Sequence, residues 1–398
     1  MTVGNLALFL LLLAGVAAGW WLGRSSGRSR PVAGPDIPGI YQDYFVGLNY
    51  LLRDEPDEAI DTFIRALEIN GDTVDTHLAL GTLLRRRGKV DKAIKVHQTL
   101  LAREGLDAAF ADSVQLELSN DYIAAGLLDR AERLLNELLD AHGTVRPEAL
   151  RHLITIYQTE KEWGQAIASV EKLLAQPGHK KDSRLQGMAA HFCCELADRA
   201  LESGDISGAR EQIQRALQFD RANVRAVFLA ARVEQHSGKH ARAIQELQRI
   251  RQHQPRFLSE LIEPMSISYR ALGAEDELED FLRQCLATEP RVSVISELCD
   301  LLLRKQGEAA VISFLSDAMK RHPTLRGMSR LMAMQANECS GQLQDDLKLF
   351  TAMTDKWLAN KPSYRCDECG LETRNLYWQC PSCQKWDSIF PILGVEGE

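Results

Sequence analysis

Apolar residues recur every three or four positions through most of this chain, and the pattern itself repeats about every 34 residues. In GLNYLLRDEPDEAIDTFIRAL the recurring positions are Gly47, Tyr50, Ala59, Phe63 and Ala66. In GTLLRRRGKVDKAIKVHQTLL they are Gly81, Leu84, Ala93, His97 and Leu100. The frame returns around Ala131, Ala166, Ala209, Ala243, Leu278 and Val311, with successive spacings of 34, 38, 35, 43, 34, 35 and 33 residues. A three-to-four spacing predicts amphipathic helices, and a repeat of this length predicts two of them joined by a tight turn. RRRGKVDKA, SGDISGA and HSGKHARA read as such turns. No single pair can bury its apolar stripe, so neighbours must stack. Small residues (Gly81, Ala93) stand where the helices of a pair cross; larger ones (Phe63, Leu247, Leu282) fill the gap to the next pair. Pro255, Pro290 and Pro323 each end a second helix, because proline cannot continue the hydrogen-bond ladder. The polar stretch 177–186, PGHKKDSRLQ, accounts for the longest spacing.

A different pattern opens the chain. Val3 to Leu22 is nearly unbroken apolar sequence, with Asn5 its strongly polar member. Twenty helical residues span roughly 30 Å, the thickness of a bilayer's hydrocarbon core. Trp20 and Trp21 stand where indoles favour the interface, and Arg24, Arg28 and Arg30 follow, while Met1 to Asn5 carries no basic side chain. A cleavable signal peptide has its positive charge on the other flank. The pattern predicts a single-pass membrane helix over 1–23, with the bulk of the chain on its cytoplasmic side. Gly15, Gly19 and Gly23 share one face of that helix and would let another helix approach, in a homodimer for example. Residues 24–39 read as a linker, 40–360 as the helical stack and 361–398 as a separate module.

Composition fits stacked helices: the 398 residues are 45% hydrophobic but 7% aromatic. A net charge of -8 gives no footprint for nucleic acid. Nine cysteines are an odd number, and Cys193, Cys194, Cys285, Cys299 and Cys339 are scattered through helical patterns. That argues against a secreted disulfide framework and for a reducing compartment.

The remaining cysteines carry the strongest chemistry. Cys366, Cys369, Cys380 and Cys383 have the spacing C-x2-C-x10-C-x2-C. Two residues between thiolates let both face one ion from a tight turn, and two such turns supply a tetrahedron of sulfur for one zinc or iron ion. Gly370 follows the first pair and Pro381 stiffens the second. Four ligands close the shell, which points to a structural site. Tyr364, Leu371, Tyr377, Trp378, Trp386 and Phe390 are expected to pack the small core around the ion, and the module to cap the last helices. No HExxH, GxSxG or phosphate-binding GxxxxGK appears, so an enzyme is not expected.

The repeats resemble the tetratricopeptide family, as eight units over residues 40–323 with a degenerate ninth over 325–360. Ser119 and Ala197 depart from its paired glycine, and its large aromatic near each unit's start is often missing. The resemblance implies an all-α helical solenoid whose first helices line a binding surface. Arg85, Asn120, Arg151, Arg225, Phe228 and Arg232, with Tyr44, would face it as candidate partner-binding residues. The motif YRCDECGLE…WQCPSCQKWDSI resembles rubredoxin-type and zinc-ribbon knuckles.

Anchor, repeats and terminal knuckles in this order resemble the lipopolysaccharide assembly protein B family of Gram-negative bacteria. That resemblance implies a regulator of lipopolysaccharide synthesis, anchored in the bacterial inner membrane with its N-terminus periplasmic. It would partner the membrane-bound ATP-dependent metalloprotease FtsH and promote degradation of the LpxC deacetylase. A periplasm-facing sensor and other lipopolysaccharide-pathway membrane proteins would be further partners. The alternatives are a scaffold for lipopolysaccharide enzymes and a rubredoxin-type redox protein.

Overall fold

The computed structural model describes residues 74–397 except 104–105 and 141–144; before residue 74 it describes only 14–18, 20–21, 45–47, 49–50, 53, 58–59 and 62. The single-pass inner-membrane topology expected from the N-terminal pattern is overturned: among the described residues, no helix is long and apolar enough to cross a membrane. Hydropathy counts apolar residues without requiring that they form one continuous helix, and a span needs about 20 of them. The described helical residues there are 14–18 and 20–21. Gly15 is among them and exposed; Gly19, Gly23 and Tyr44 lie outside the described residues.

The chain divides into two compact units, Met1–Ala141 and His142–Glu398. In the first, α1 (Val74–Arg86) pairs with α2 (Val90–Leu101) and α3 (Ala108–Ala124) with α4 (Leu128–Glu137). Leu80, Leu84, Ala93 and Val96 form a core with Ala59, against which Tyr50 packs. A polar staple ties the pairs together. Arg85 of α1 reaches Glu117 (2.6 Å) and Asp121 (2.7 Å) of α3, and His97 Nδ1 of α2 lies 2.5 Å from the other Asp121 oxygen. His97 fits because Gly81 has no side chain: a Cβ there would strike the imidazole.

The second unit continues with α5 (Val145–Glu160), α6 (Trp163–Leu174), α7 (Ser183–Glu202), α8 (Ile206–Phe219), α9 (Val224–His236) and α10 (His240–His253). A 3-10 turn (Pro255–Phe257) leads into α11 (Leu258–Ala271) and α12 (Glu275–Thr288). The stack ends with α13 (Val292–Gln306), α14 (Glu308–Arg321), α15 (Leu325–Glu338) and α16 (Gln342–Leu358). Successive helices pack as pairs, giving a mostly helical repeat solenoid.

The periodic residues are the pins of this stack. Ala59, Ala93, Ala131, Ala166, Ala209, Ala243, Leu278 and Val311 are each fully buried. In six of these pairs the anchor N–H closes the first turn of the second helix, as from Ala166 to the Glu162 carbonyl (3.0 Å). Five residues before those six anchors the backbone turns left-handed, at Gly88, Gly126, Lys161, Gly204, Gly238 and Gly273. The helices α10, α12 and α14 stop two residues before Pro255, Pro290 and Pro323, since the residue before proline is disfavoured in helical conformation. The polar stretch at 177–186 ends where the Asp182 carboxylate accepts the N–H groups of Arg184 and Leu185, capping the 20-residue α7.

The C-terminal module is a three-stranded antiparallel sheet, β1 (Tyr364–Cys366), β2 (Glu372–Thr373) and β3 (Ile389–Pro391), ordered β2-β1-β3. β1 is central, so Tyr364 faces both Thr373 and Pro391.

Candidate metal centre and its docking groove

The two cysteine pairs adopt matching backbone turns. The Cys366 carbonyl accepts from Gly370 N–H (2.9 Å) and its N–H donates to Leu371 (2.8 Å). The Cys380 carbonyl likewise accepts from Gln384 (2.8 Å), and its N–H donates to Lys385 (2.9 Å). Both turns need a left-handed residue, Gly370 in the first and Gln384 in the second. Each turn aims its two sulfurs toward those of the other.

All four Sγ atoms lie within 4.8 Å of one another, with Cys366 to Cys383 at 3.8 Å and Cys369 to Cys380 at 3.6 Å. Sulfurs about 2.3 Å from a tetrahedral centre stand about 3.8 Å apart. A disulfide would require about 2.05 Å. The four cysteines therefore form a cluster consistent with one tetrathiolate ion, and both zinc and iron suit the donor set. Cys366 and Cys380 are buried. Against the cost of burial, the Ser388 hydroxyl and the N–H groups of Cys369 and Glu368 bring the Cys366 thiol down to about 6. The Lys385 N–H favours the Cys383 thiolate, yet desolvation and the neighbouring sulfurs push that thiol up to about 11. Four adjacent thiolates repel one another, and a bound cation removes that obstacle.

The module does not cap the end of the stack, as the sequence pattern led us to expect. It lies across the first helices of earlier pairs, α5, α7, α9 and α11. Trp386 stacks on His191 of α7 (4.7 Å between centroids) and meets Trp163 and Phe192 edge-on. Its indole N–H points to the Gln158 Oε1 of α5, at 3.4 Å. Trp378 packs on Phe257 (5.7 Å) and Phe228 (6.2 Å), and Phe390 packs on Phe257 (5.5 Å). Trp378, Trp386 and Phe390 thus face the solenoid and not a private core. That core is Cys366, Cys380 and Ile389, with Tyr364, Leu371 and Leu376 against it, while Tyr377 is exposed. The physical reason is size: a sheet with two- and three-residue strands cannot enclose so many large rings.

Polar contacts fix the register of docking. His191 Nε2 and Asp387 Oδ2 are 2.7 Å apart, and His191 is fully buried. The Arg256 guanidinium lies 3.5 Å above the Phe390 ring and pairs with Asp367 at 2.9 Å. The Tyr364 hydroxyl meets Glu260 at 2.5 Å. At the far side Leu325 N–H donates to the Val395 carbonyl (2.9 Å). Gln158, Arg256 and Glu260 carried no signal in the sequence, and His191 had none beyond that of a histidine on a helix face or between repeats. A usable signal was there: the chain has six tryptophans, and Trp163, Trp378 and Trp386 meet in this groove.

The rubredoxin metal binding domain family matches residues 364–391, and two tetratricopeptide repeat families match residues 76–109 and 200–261. Lipopolysaccharide assembly protein B of Escherichia coli is 34% identical over 391 residues, covering 98% of this chain and 99% of that protein. The chain belongs to the lipopolysaccharide assembly protein B family. The Haemophilus influenzae member is 30% identical over 400 residues, with 98% of each chain covered. Among solved structures, a tetratricopeptide repeat protein from Parabacteroides merdae is 13% identical, spans 71% of this chain and 100% of its own, and has a TM-score of 0.33.

In this family member the remaining candidate residues fall in distinct settings. Arg85 is held by the α3 carboxylates, and Asn120 is half-buried on α3. Arg225 is buried, and its guanidinium meets Glu195 (2.7 Å) and Asp198 (2.8 Å) of α7. Arg232 reaches the other Asp198 oxygen at 3.0 Å. Phe228 touches Trp378 of the module, and Arg151 is exposed on α5.

Proposed function

We propose that this chain is a non-catalytic adaptor in lipopolysaccharide assembly, which presents the LpxC deacetylase to the ATP-dependent metalloprotease FtsH for degradation. The observation that carries this reading is end-to-end similarity. The relatives named lipopolysaccharide assembly protein B match over 98% of the chain, repeats and metal module together. Repeat solenoids recognise proteins along extended surfaces, which suits an adaptor. A tetrathiolate shell has no open position for a substrate, which suits a structural ion.

Within this reading, the ion's task is to hold the knuckles that fill the groove on α5–α11, and so to fix the shape of the surface around it. Arg151 on α5 and Arg232 on α9 are exposed beside that surface and are the cations we assign to client contact. The test is a reconstituted turnover assay with purified protease, deacetylase, ATP and this chain. Adding the chain must shorten the deacetylase half-life several-fold, and depleting it from cells must raise deacetylase levels. Unchanged turnover in both settings sinks the reading. Co-purification of several lipopolysaccharide enzymes without any effect on turnover would favour a scaffold instead.

A further inference from the structure

We propose that the outer face of α16 is a self-association surface, on which α16 of a second copy of this chain packs antiparallel. The proposal goes beyond the adaptor reading and does not depend on it. Leu343, Leu349, Phe350, Met353 and Trp357 are 57%, 61%, 64%, 65% and 43% exposed. At 100° per residue they fall on one stripe of the helix with Asp346 at its centre. The opposite stripe is the one that α15 occupies, where Ser329 Oγ donates to Asp355 (2.7 Å) and Gln344 donates to the Ala336 carbonyl (3.0 Å).

The α15–α16 pair is the last of the stack, so this stripe stands where another pair would otherwise pack. A terminal repeat stays solitary by presenting a polar outer face. This one presents five large apolar side chains instead; the metal module lies on α5–α11 and reaches the stripe at its C-terminal end, where the Lys361 ammonium sits 4.1 Å over the Trp357 ring. A contiguous apolar patch of this kind marks an interaction site.

Charge identifies the occupant. Asp345 and Asp346 lie in the first half of α16 and Lys356 in its last turn. Among the described residues, Asp346 and Lys356 make no ion pair with this chain. An antiparallel copy crossing between Phe350 and Met353 brings Asp346 of each helix beside Lys356 of the other, twice by symmetry. It also layers Phe350 on Met353 and opposes the helix dipoles. A parallel copy would set Asp346 against Asp346. A lipid surface would have to bury that carboxylate at the centre of the stripe, at a cost no neighbouring cation here offsets.

Sedimentation of the full chain tests this. We expect a dimer at about 50 µM that dissociates on dilution. Phe350→Asp, at a site already exposed, should give a monomer with unchanged helicity by circular dichroism. Asp346→Lys alone and Lys356→Asp alone should each weaken association about tenfold, and the double charge swap should restore it. A monomeric full chain overturns the proposal, whether or not it binds anionic vesicles or another protein. So does a dimer indifferent to Phe350→Asp, or single charge variants that the double swap does not rescue.

Discussion

The indole of Trp386 lies flat on the imidazole of His191, with ring centroids 4.7 Å apart and planes 16° from parallel, while Asp387 holds the same imidazole's Nε2 at 2.7 Å. One buried ring of α7 therefore receives both an apolar and a polar contact from consecutive module residues. Replacing Trp386 by alanine removes the stack on His191 and the edges on Trp163 and Phe192. Truncating a large packed aromatic costs about 3–5 kcal/mol, and half-buried Trp386 should fall at the lower end. The cysteines are untouched, so metal stoichiometry should stay at one ion per chain. Limited proteolysis should release residues 361–398 much faster from Trp386→Ala than from the parent chain. Equal release rates would show that the stack does not hold the module.

Metal removal should act on docking through folding. The module's private core is three buried residues, two of them cysteines, so a bound ion would supply much of its folding free energy. Chelation, or Cys380→Ser, should unravel 364–391 and free Trp378 and Trp386 from the groove. Tryptophan emission should shift to the red, while far-UV circular dichroism changes little because the helices lie elsewhere. A chelated protein with unshifted emission would mean that the knuckles stay docked without their ion.

The helix pairs were legible in the sequence because a solenoid is built from contacts between near neighbours. Each buried anchor, from Ala59 to Val311, repeats at the period of the structure itself. The four-cysteine cluster was legible for the same reason: each pair is local and the spacing is the geometry. Docking was not. Tyr364 meets Glu260, Arg256 meets Asp367 and Trp386 meets Gln158 across more than a hundred residues, and no period links them. Arg85 and Arg225 fell in the binding frame of the repeats, yet their charges are answered by Glu117, Asp121, Glu195 and Asp198 of neighbouring helices. A list of acids in sequence does not say which acid lies one repeat away in space.

Lys161 offers a test of the repeat turn. It is left-handed (φ 58°) where five other pairs carry glycine. A side chain in that conformation costs about 1–2 kcal/mol, and glycine returns part of the gain through its freer unfolded chain. Lys161→Gly should therefore raise stability by about 0.5–1 kcal/mol. The Lys161 carbonyl, which accepts from Arg199 (3.0 Å), is kept in the variant. Equilibrium urea unfolding measures the difference. A destabilised variant would mean that the lysine side chain contributes more than its backbone costs.

Acid should loosen the first unit through Glu117. Burial opposes its charge, but the hydrogen bonds and charge of Arg85, with the Thr82 hydroxyl, hold its carboxyl below the ordinary 4.5. A carboxylate depressed in the folded state stabilises above its unfolded pKa, and that contribution is lost as pH falls through the folded value. Stability of this unit should therefore be level above pH about 4.5 and decline below it. Glu117→Gln keeps the shape and removes the titrating charge, so the variant should be less stable at neutral pH and lose less on acidification. Hydrogen exchange of α1 and α3 amides, taken from neutral pH to about pH 4 with the intrinsic rate corrected, reads both. Parallel declines for parent and variant would assign the acid sensitivity to other carboxylates.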